Sequence, residues 1–273
     1  TTHECSSAAS DVYKRQFSAS ALLLVGALTL SSCKKEKLEG QSSTFLEVEK
    51  TNSSFLMKQT GTWCGPCGGW GFTTFQQHID NFGDTEVLAA SVSGSLGGAN
   101  NEMIFDAFGT AFDISATPTF RGNFYESINQ SLINQHKESE VVANANYELE
   151  FEGSKIIIKT TTEFFKDLTG TDYYLAPYII VDNIVADQAG HPDGANTVHK
   201  KSLVDVAFPA GVDQDVFGYV VAGGDIRNGY KVNLEFEAPR LASWNDSDIS
   251  VALVLTTRDA AGKPVFVNAY TKH

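Results

Sequence analysis

The sequence predicts an α/β domain followed by an all-β sandwich. Three features carry that prediction. Apolar runs alternate with helix-period segments up to about residue 143, the period changes to two from Tyr147 onward, and a Cys64-Gly65-Pro66-Cys67 tetrad stands where a first strand gives way to a helix. At 273 residues and 42% hydrophobic content the chain can bury one large core or two ordinary ones. The expected division is 45–143 and 144–273.

In chain order, Phe55-Leu56-Met57 marks a short buried strand leading into Thr60-Gly61-Thr62 and the tetrad. Phe72, Phe75, Ile79 and Phe82 then recur at three- and four-residue spacing, as on an amphipathic helix. Its first turn holds Gly68, Gly69 and Gly71, each weakening the helix by roughly 1 kcal/mol relative to Ala. Such a run points to close backbone packing or to a mobile redox loop. Val87 to Val92 is continuously apolar, which suits a central parallel strand. After a Gly-rich loop from Gly94 to Asn101, Ile104, Phe108 and Phe112 give a second helix, Ala116-Thr117-Pro118-Thr119-Phe120 opens a strand, and Ser127 to Ser139 offers a third helix.

From Tyr147, apolar Tyr147, Leu149 and Phe151 alternate with Glu148, Glu150 and Glu152, and Gly153-Ser154 fits a two-residue hairpin into a strand at Lys155–Thr162. Further strands read at Tyr173–Val181, Val198–Ala207, Tyr230–Glu237, Ile249–Thr256 and Val265–Tyr270. About seven strands without a helical period suggest an immunoglobulin-like sandwich.

The N-terminal segment carries its own signals. Asp11-Val-Tyr-Lys-Arg-Gln16 resembles a translated sequencing adapter, so residues 1–16 are set aside. Phe17 to Leu30 reads as the apolar middle of an export signal, and Leu30-Ser31-Ser32-Cys33 resembles a lipobox, with Cys33 as the lipidated residue. Residues 17–33 are thus the expected lipoprotein signal and 34–44 a polar tether.

Discarding Cys5 and assigning Cys33 to lipid leaves Cys64 and Cys67 as the exported thiols. An exported chain with one C-x-x-C pair has a redox centre or half a metal site. Zinc would need two more ligands, and His78, His136, His191, His199 and His273 are scattered singly, so redox chemistry is favoured and neither metal nor cofactor is expected. Copper or haem handling lacks a supporting array, since Met57 and Met103 are the chain's two methionines. A formal charge of −13 argues against nucleic acid, whose backbone is bound by Lys and Arg. At a helix start the dipole and free N–H groups favour the thiolate of the first cysteine. Cys64 is therefore the nucleophile and Cys67 the resolving thiol.

Trp63-Cys64-Gly65-Pro66-Cys67 together with Thr117-Pro118 resembles the thioredoxin superfamily. The resemblance implies a thioredoxin-like domain over 45–143 and a cis Pro118 facing the cysteines. It also implies substrate contacts at Trp63, Gly65, Pro66, Thr117 and Pro118, with disulfide-containing polypeptides bound as an added strand. The layout of lipobox, tether and two domains, with Thr60-Gly61 before the motif, is similar to thioredoxin-like outer-membrane lipoproteins of the Bacteroidetes type. That likeness implies a lipid-anchored enzyme of the cell envelope, on its periplasmic or surface face. Gly65-Pro66 matches reducing thioredoxins near −270 mV, whereas Thr117 before Pro118 matches exported isomerases and cytochrome-maturation reductases. A reductase there needs an electron donor that the chain does not identify.

One position departs from the family. Its buried acid lies six residues before the first cysteine, where this chain has Lys58. Lys58 either snorkels to solvent or, partly buried, supports a thiolate or sheds its proton. The rival class is a surface binding or adhesion lipoprotein that uses the β-domain, with Trp244-Asn245-Asp246 and His191-Pro192-Asp193-Gly194 as ligand loops on a thioredoxin-like scaffold.

Overall fold

β1 (Phe55–Gly61) is buried along its whole length, with Phe55 and Met57 in one core cluster and Leu56 in another. On one side β2 (Val87–Ser93) runs parallel to it, with Phe55 opposite Val87 and Gly61 opposite Ser93. On the other, β3 (Thr119–Gly122) runs antiparallel, with Lys58 opposite Phe120. The computed structural model describes residues 44–94, 96, 98–212 and 215–273. The adapter, export-signal and Cys33 assignments, with 34–43 of the tether, lie outside the described residues.

The helices fall where periodicity put them. α1 (Gly65–Gly68) and α2 (Trp70–Phe82) link β1 to β2, α3 (Asn101–Ala111) links β2 to β3, and α4 (Gln130–Glu138) follows β3. Asn129 caps α4 by accepting the Leu132 N–H at 2.9 Å, and Lys137 occupies its last turn, where a cation suits the dipole.

The second half is all strand and turn: β4 (Ala143–Glu152), β5 (Lys155–Phe164), β6 (Tyr173–Val181), β7 (Ile184–Ala186), β8 (Thr197–His199), β9 (Ser202–Val206), β10 (Tyr219–Ala222), β11 (Lys231–Pro239), β12 (Ile249–Arg258) and β13 (Pro264–Tyr270). Gly153 turns the β4–β5 hairpin at φ 59°. The reading at Val198–Ala207 divides into β8 and β9 because Lys201 adopts φ 52°, which breaks an extended run. The short β7 and β10 lack a legible two-residue period.

Strand pairing corrects the expected architecture. One mixed sheet runs β13-β12-β6-β9-β2-β1-β3, with β10 also on β6, while β11-β5-β4 forms a second sheet. The second sheet covers part of the first: Ala145, Ile156, Ile158 and Phe236 share a core with Leu175, Val251 and Leu253. Over 144–273 two sheets do pack face to face, but as part of the larger body and not as a separate immunoglobulin-like sandwich domain, because β6, β9, β12 and β13 also continue the sheet of the first half. β9 lies parallel to β2, pairing Ser202 with Ala90 and Leu203 with Ser91. The physical reason is the edge of β2, an apolar strand buried on both faces whose open side needs a partner. A second core also crosses the expected boundary. Phe55, Met57, Phe108 and Phe112 pack with Tyr178, Ile180, Val206 and Val254. The division at 143/144 therefore falls inside one compact body, a mixed α/β fold dominated by strands.

Candidate functional site

Cys64 and Cys67 flank the first turn after β1. Cys64 is extended (φ −91°, ψ 112°) and caps α1, its sulfur accepting the Cys67 N–H at 3.2 Å, while Pro66 sits where the helix needs no donor. The two sulfurs form a disulfide across a Cα–Cα distance of 5.2 Å. They differ in access: Cys64 keeps 6% of its surface exposed and Cys67 none. An incoming sulfur can therefore reach Cys64 alone.

The other expected site residues gather round this sulfur. The Thr117–Pro118 bond is cis, and the Thr117 carbonyl oxygen lies 3.6 Å from Cys64 Sγ. Gly71 lets α2 approach that loop, since a Cβ there would come within 2.6 Å of Pro118 Cγ. Gly65 and Pro66 are exposed. Trp63 is 64% exposed and donates its indole N–H to Ser93 Oγ at 3.2 Å. Between Trp63 and Thr117 an open groove of about 450 Å³ runs along Phe105, Ile114 and Ala116.

Sequence reading missed one wall of the site, which comes from the distant 187–196 loop between β7 and β8. Gln188 is buried and aims Nε2 at the carbonyl oxygens of Gly61 (3.2 Å), Thr62 (3.3 Å) and Cys64 (3.2 Å). Ala189 N–H donates to Thr62 O at 2.7 Å, and His191 packs 4.3 Å from the Phe72 ring. This contact accounts for Gly68, where a Cβ would fall 2.2 Å from Ala189 O. Close packing, not a mobile loop, is thus the reason for that glycine. Gly68→Ala should lower stability by about 1–3 kcal/mol, as overpacking does, read as a shift in urea midpoint; an unchanged midpoint would mean that the loop is not seated on α1. The alternative ligand loops fare differently from their expectation, because His191 is spent on Phe72 and Trp244 is buried in the core.

Lys58 does not snorkel. It is 4% exposed, and Nζ lies 5.5 and 5.6 Å from the Phe72 and Phe75 rings, with no carboxylate paired to it among the described residues. Its place on a fully buried strand leaves the side chain little contact with bulk water, and burial lowers its pKa from 10.5 to about 8. A cavity of about 20 Å³, room for one water, is lined by Lys58, Thr60, His199 and Ser202. Thr60 Oγ1, His199 Nε2 and Ser202 Oγ border it without hydrogen-bond partners among the described residues. Burial also lowers the His199 pKa, and the Lys58 charge lowers it further. No cluster of three or more His, Cys, Asp or Glu side chains suited to a metal occurs among the described residues.

Neither a protein-family model nor a curated protein sequence matches the chain. Among solved structures, one superposes with a TM-score of 0.66 over 83% of this chain and 76% of its own, at 18% identity. It is HBP35 of Porphyromonas gingivalis. At that identity the likeness to HBP35 speaks for the fold. Its coverage exceeds either half expected from sequence, so HBP35 shares elements on both sides of residue 143.

Proposed function

We propose that the protein is a thioredoxin-type thiol–disulfide oxidoreductase, anchored in the cell envelope through lipid on Cys33 and acting on exported polypeptides as a reductase or isomerase. The observation that supports this most is a single reachable sulfur, Cys64, bonded to a buried partner and set beside the cis Thr117–Pro118 bond. In the reducing direction the Cys64 thiolate attacks a client disulfide, forming a mixed disulfide and expelling one client sulfur as a thiolate that takes up a proton. Cys67 then loses its proton and attacks Cys64 Sγ, releasing the second client sulfur. The client gains two electrons and the protein is left as the Cys64–Cys67 disulfide. A dithiol donor of the envelope must supply those electrons again. As an isomerase, a second client thiol instead resolves the mixed disulfide, with no net electron transfer. The groove between Trp63 and Thr117 would take the client chain, Trp63 and Pro66 forming its exposed rim.

The test is direct. Residues 44–273 with a dithiol donor should reduce insulin or reactivate scrambled ribonuclease, Cys64→Ser should abolish turnover, and Cys67→Ser should accumulate client mixed disulfides on Cys64. If neither assay responds and Cys67→Ser traps nothing, catalysis is refuted and a binding lipoprotein on the same scaffold remains.

A further inference from the structure

Gln188 belongs to the half of the chain without the cysteines, yet it is buried against the backbone that carries them. Its Nε2 sits among four carbonyl oxygens, those of Gly61, Thr62, Cys64 and Ala189, at 3.1–3.3 Å. A carboxamide offers two N–H bonds, so these contacts are shared, and the opposite orientation would set its own oxygen against four others. The amide is therefore fixed. Around it, Ala189 N–H is bonded to Thr62 O. Gly190, at φ 79°, lies so near α1 that a Cβ would come within 2.1 Å of Gly65 O. The loop's own ends are the paired strands β7 and β8, and β8 leads into β9 in the large sheet.

We infer that the 187–196 loop is a fixed wall of the redox site and that Gln188 is its positioning residue, holding the Gly61–Cys64 carbonyls so that disulfide exchange occurs at Cys64 alone. The inference rests on the thiol–disulfide reading above. Two effects follow. The wall lies against Gly68, next to Cys67, and closes that flank, so an attacking thiolate bonds to Cys64 Sγ while Cys67 leaves as the thiolate. The amide also presents its positive end to the Cys64 carbonyl, which reduces the negative potential beside Cys64 Sγ and favours its thiolate in the reduced protein.

Three measurements test this. In the unaltered protein, Ala189 N–H should be strongly protected from hydrogen exchange in both redox states; exchange at the rate of an open loop would overturn the fixed wall. In Gln188→Met, which keeps the volume and removes the donors, the pH midpoint for alkylation of Cys64 in the reduced protein should rise by roughly half a unit or more. The third measurement uses the oxidised protein with glutathione and acid quenching. Adducts should map to Cys64 in the unaltered protein, and to both cysteines in Gln188→Met and in Gly190→Ala, whose added Cβ pushes the loop off α1. If a folded variant keeps the original midpoint and adducts confined to Cys64, the role of Gln188 is refuted although the redox reading stands. If the unaltered protein forms no adduct, the redox reading fails first.

Discussion

A fragment spanning 45–143 is expected to remain unfolded, although it holds every residue of the proposed redox motif. Its core is completed by the other half: Tyr178, fully buried, lies 6.1 Å from the Phe55 ring and 5.7 Å from Phe108. Ile180, Val206, Ala252 and Val254 enclose the same cluster. Each large apolar side chain stripped of its cover loses about 1.5–3 kcal/mol. Uncovering Phe55, Met57, Phe108 and Phe112 together would consume most or all of the ~5–15 kcal/mol that holds a domain folded. The cut also bares the β2 edge that pairs with β9, and removes the Gln188 loop from α1. Circular dichroism and one-dimensional NMR of the fragment check this. A dispersed spectrum with a cooperative melt would show that 45–143 is autonomous, as sequence alone suggests.

Lys58→Met should make the protein more stable at pH 7, by up to about 3 kcal/mol. The sign follows from proton counting. In the folded protein the ammonium titrates at about 8, and in the unfolded chain at 10.5. Between those values the unfolded state holds more protons, so stability rises with pH across that window. Below about pH 8 both states are charged and the full burial penalty persists. The Lys58 contribution is therefore least favourable at neutral pH and recovers as pH climbs toward 10.5. Buried Tyr178 acts oppositely at the alkaline end, because burial raises its pKa and the unfolded chain sheds that proton first. The difference between the unaltered protein and Lys58→Met cancels that contribution. Urea unfolding at several pH values should show the gap between the two narrowing from pH 8 upward. A pH-independent gap would mean that Lys58 keeps an ordinary pKa in the folded protein, through a counter-charge or contact with water. Retention of such a costly lysine beneath α2 marks it as a target for redox-potential measurements on the same variant.

Much of this molecule is legible locally. Helix spacing at Phe72, Phe75, Ile79 and Phe82, and the apolar run Val87–Val92, specify α2 and β2 because each pattern is fixed by the backbone period of its own element. Two cysteines separated by Gly65-Pro66 specify a closable disulfide, since the spacing is set within one helical turn. Other features have no local signature. That β9 joins β2, merging the expected domains, depends on which distant strand meets an open edge, and strand pairing leaves no period in either partner. For Lys58 the sequence leaves snorkelling and partial burial both open, and the structure places it in the interior, because burial is a property of what packs above a strand. Gln188 is an ordinary loop glutamine until the fold brings it among carbonyls well over a hundred residues away in the chain. The sequence by itself determined most of the elements and the pair of neighbouring cysteines; only the tertiary structure decided how exposed each sulfur is and what surrounds it, because access and polar satisfaction arise from long-range contacts.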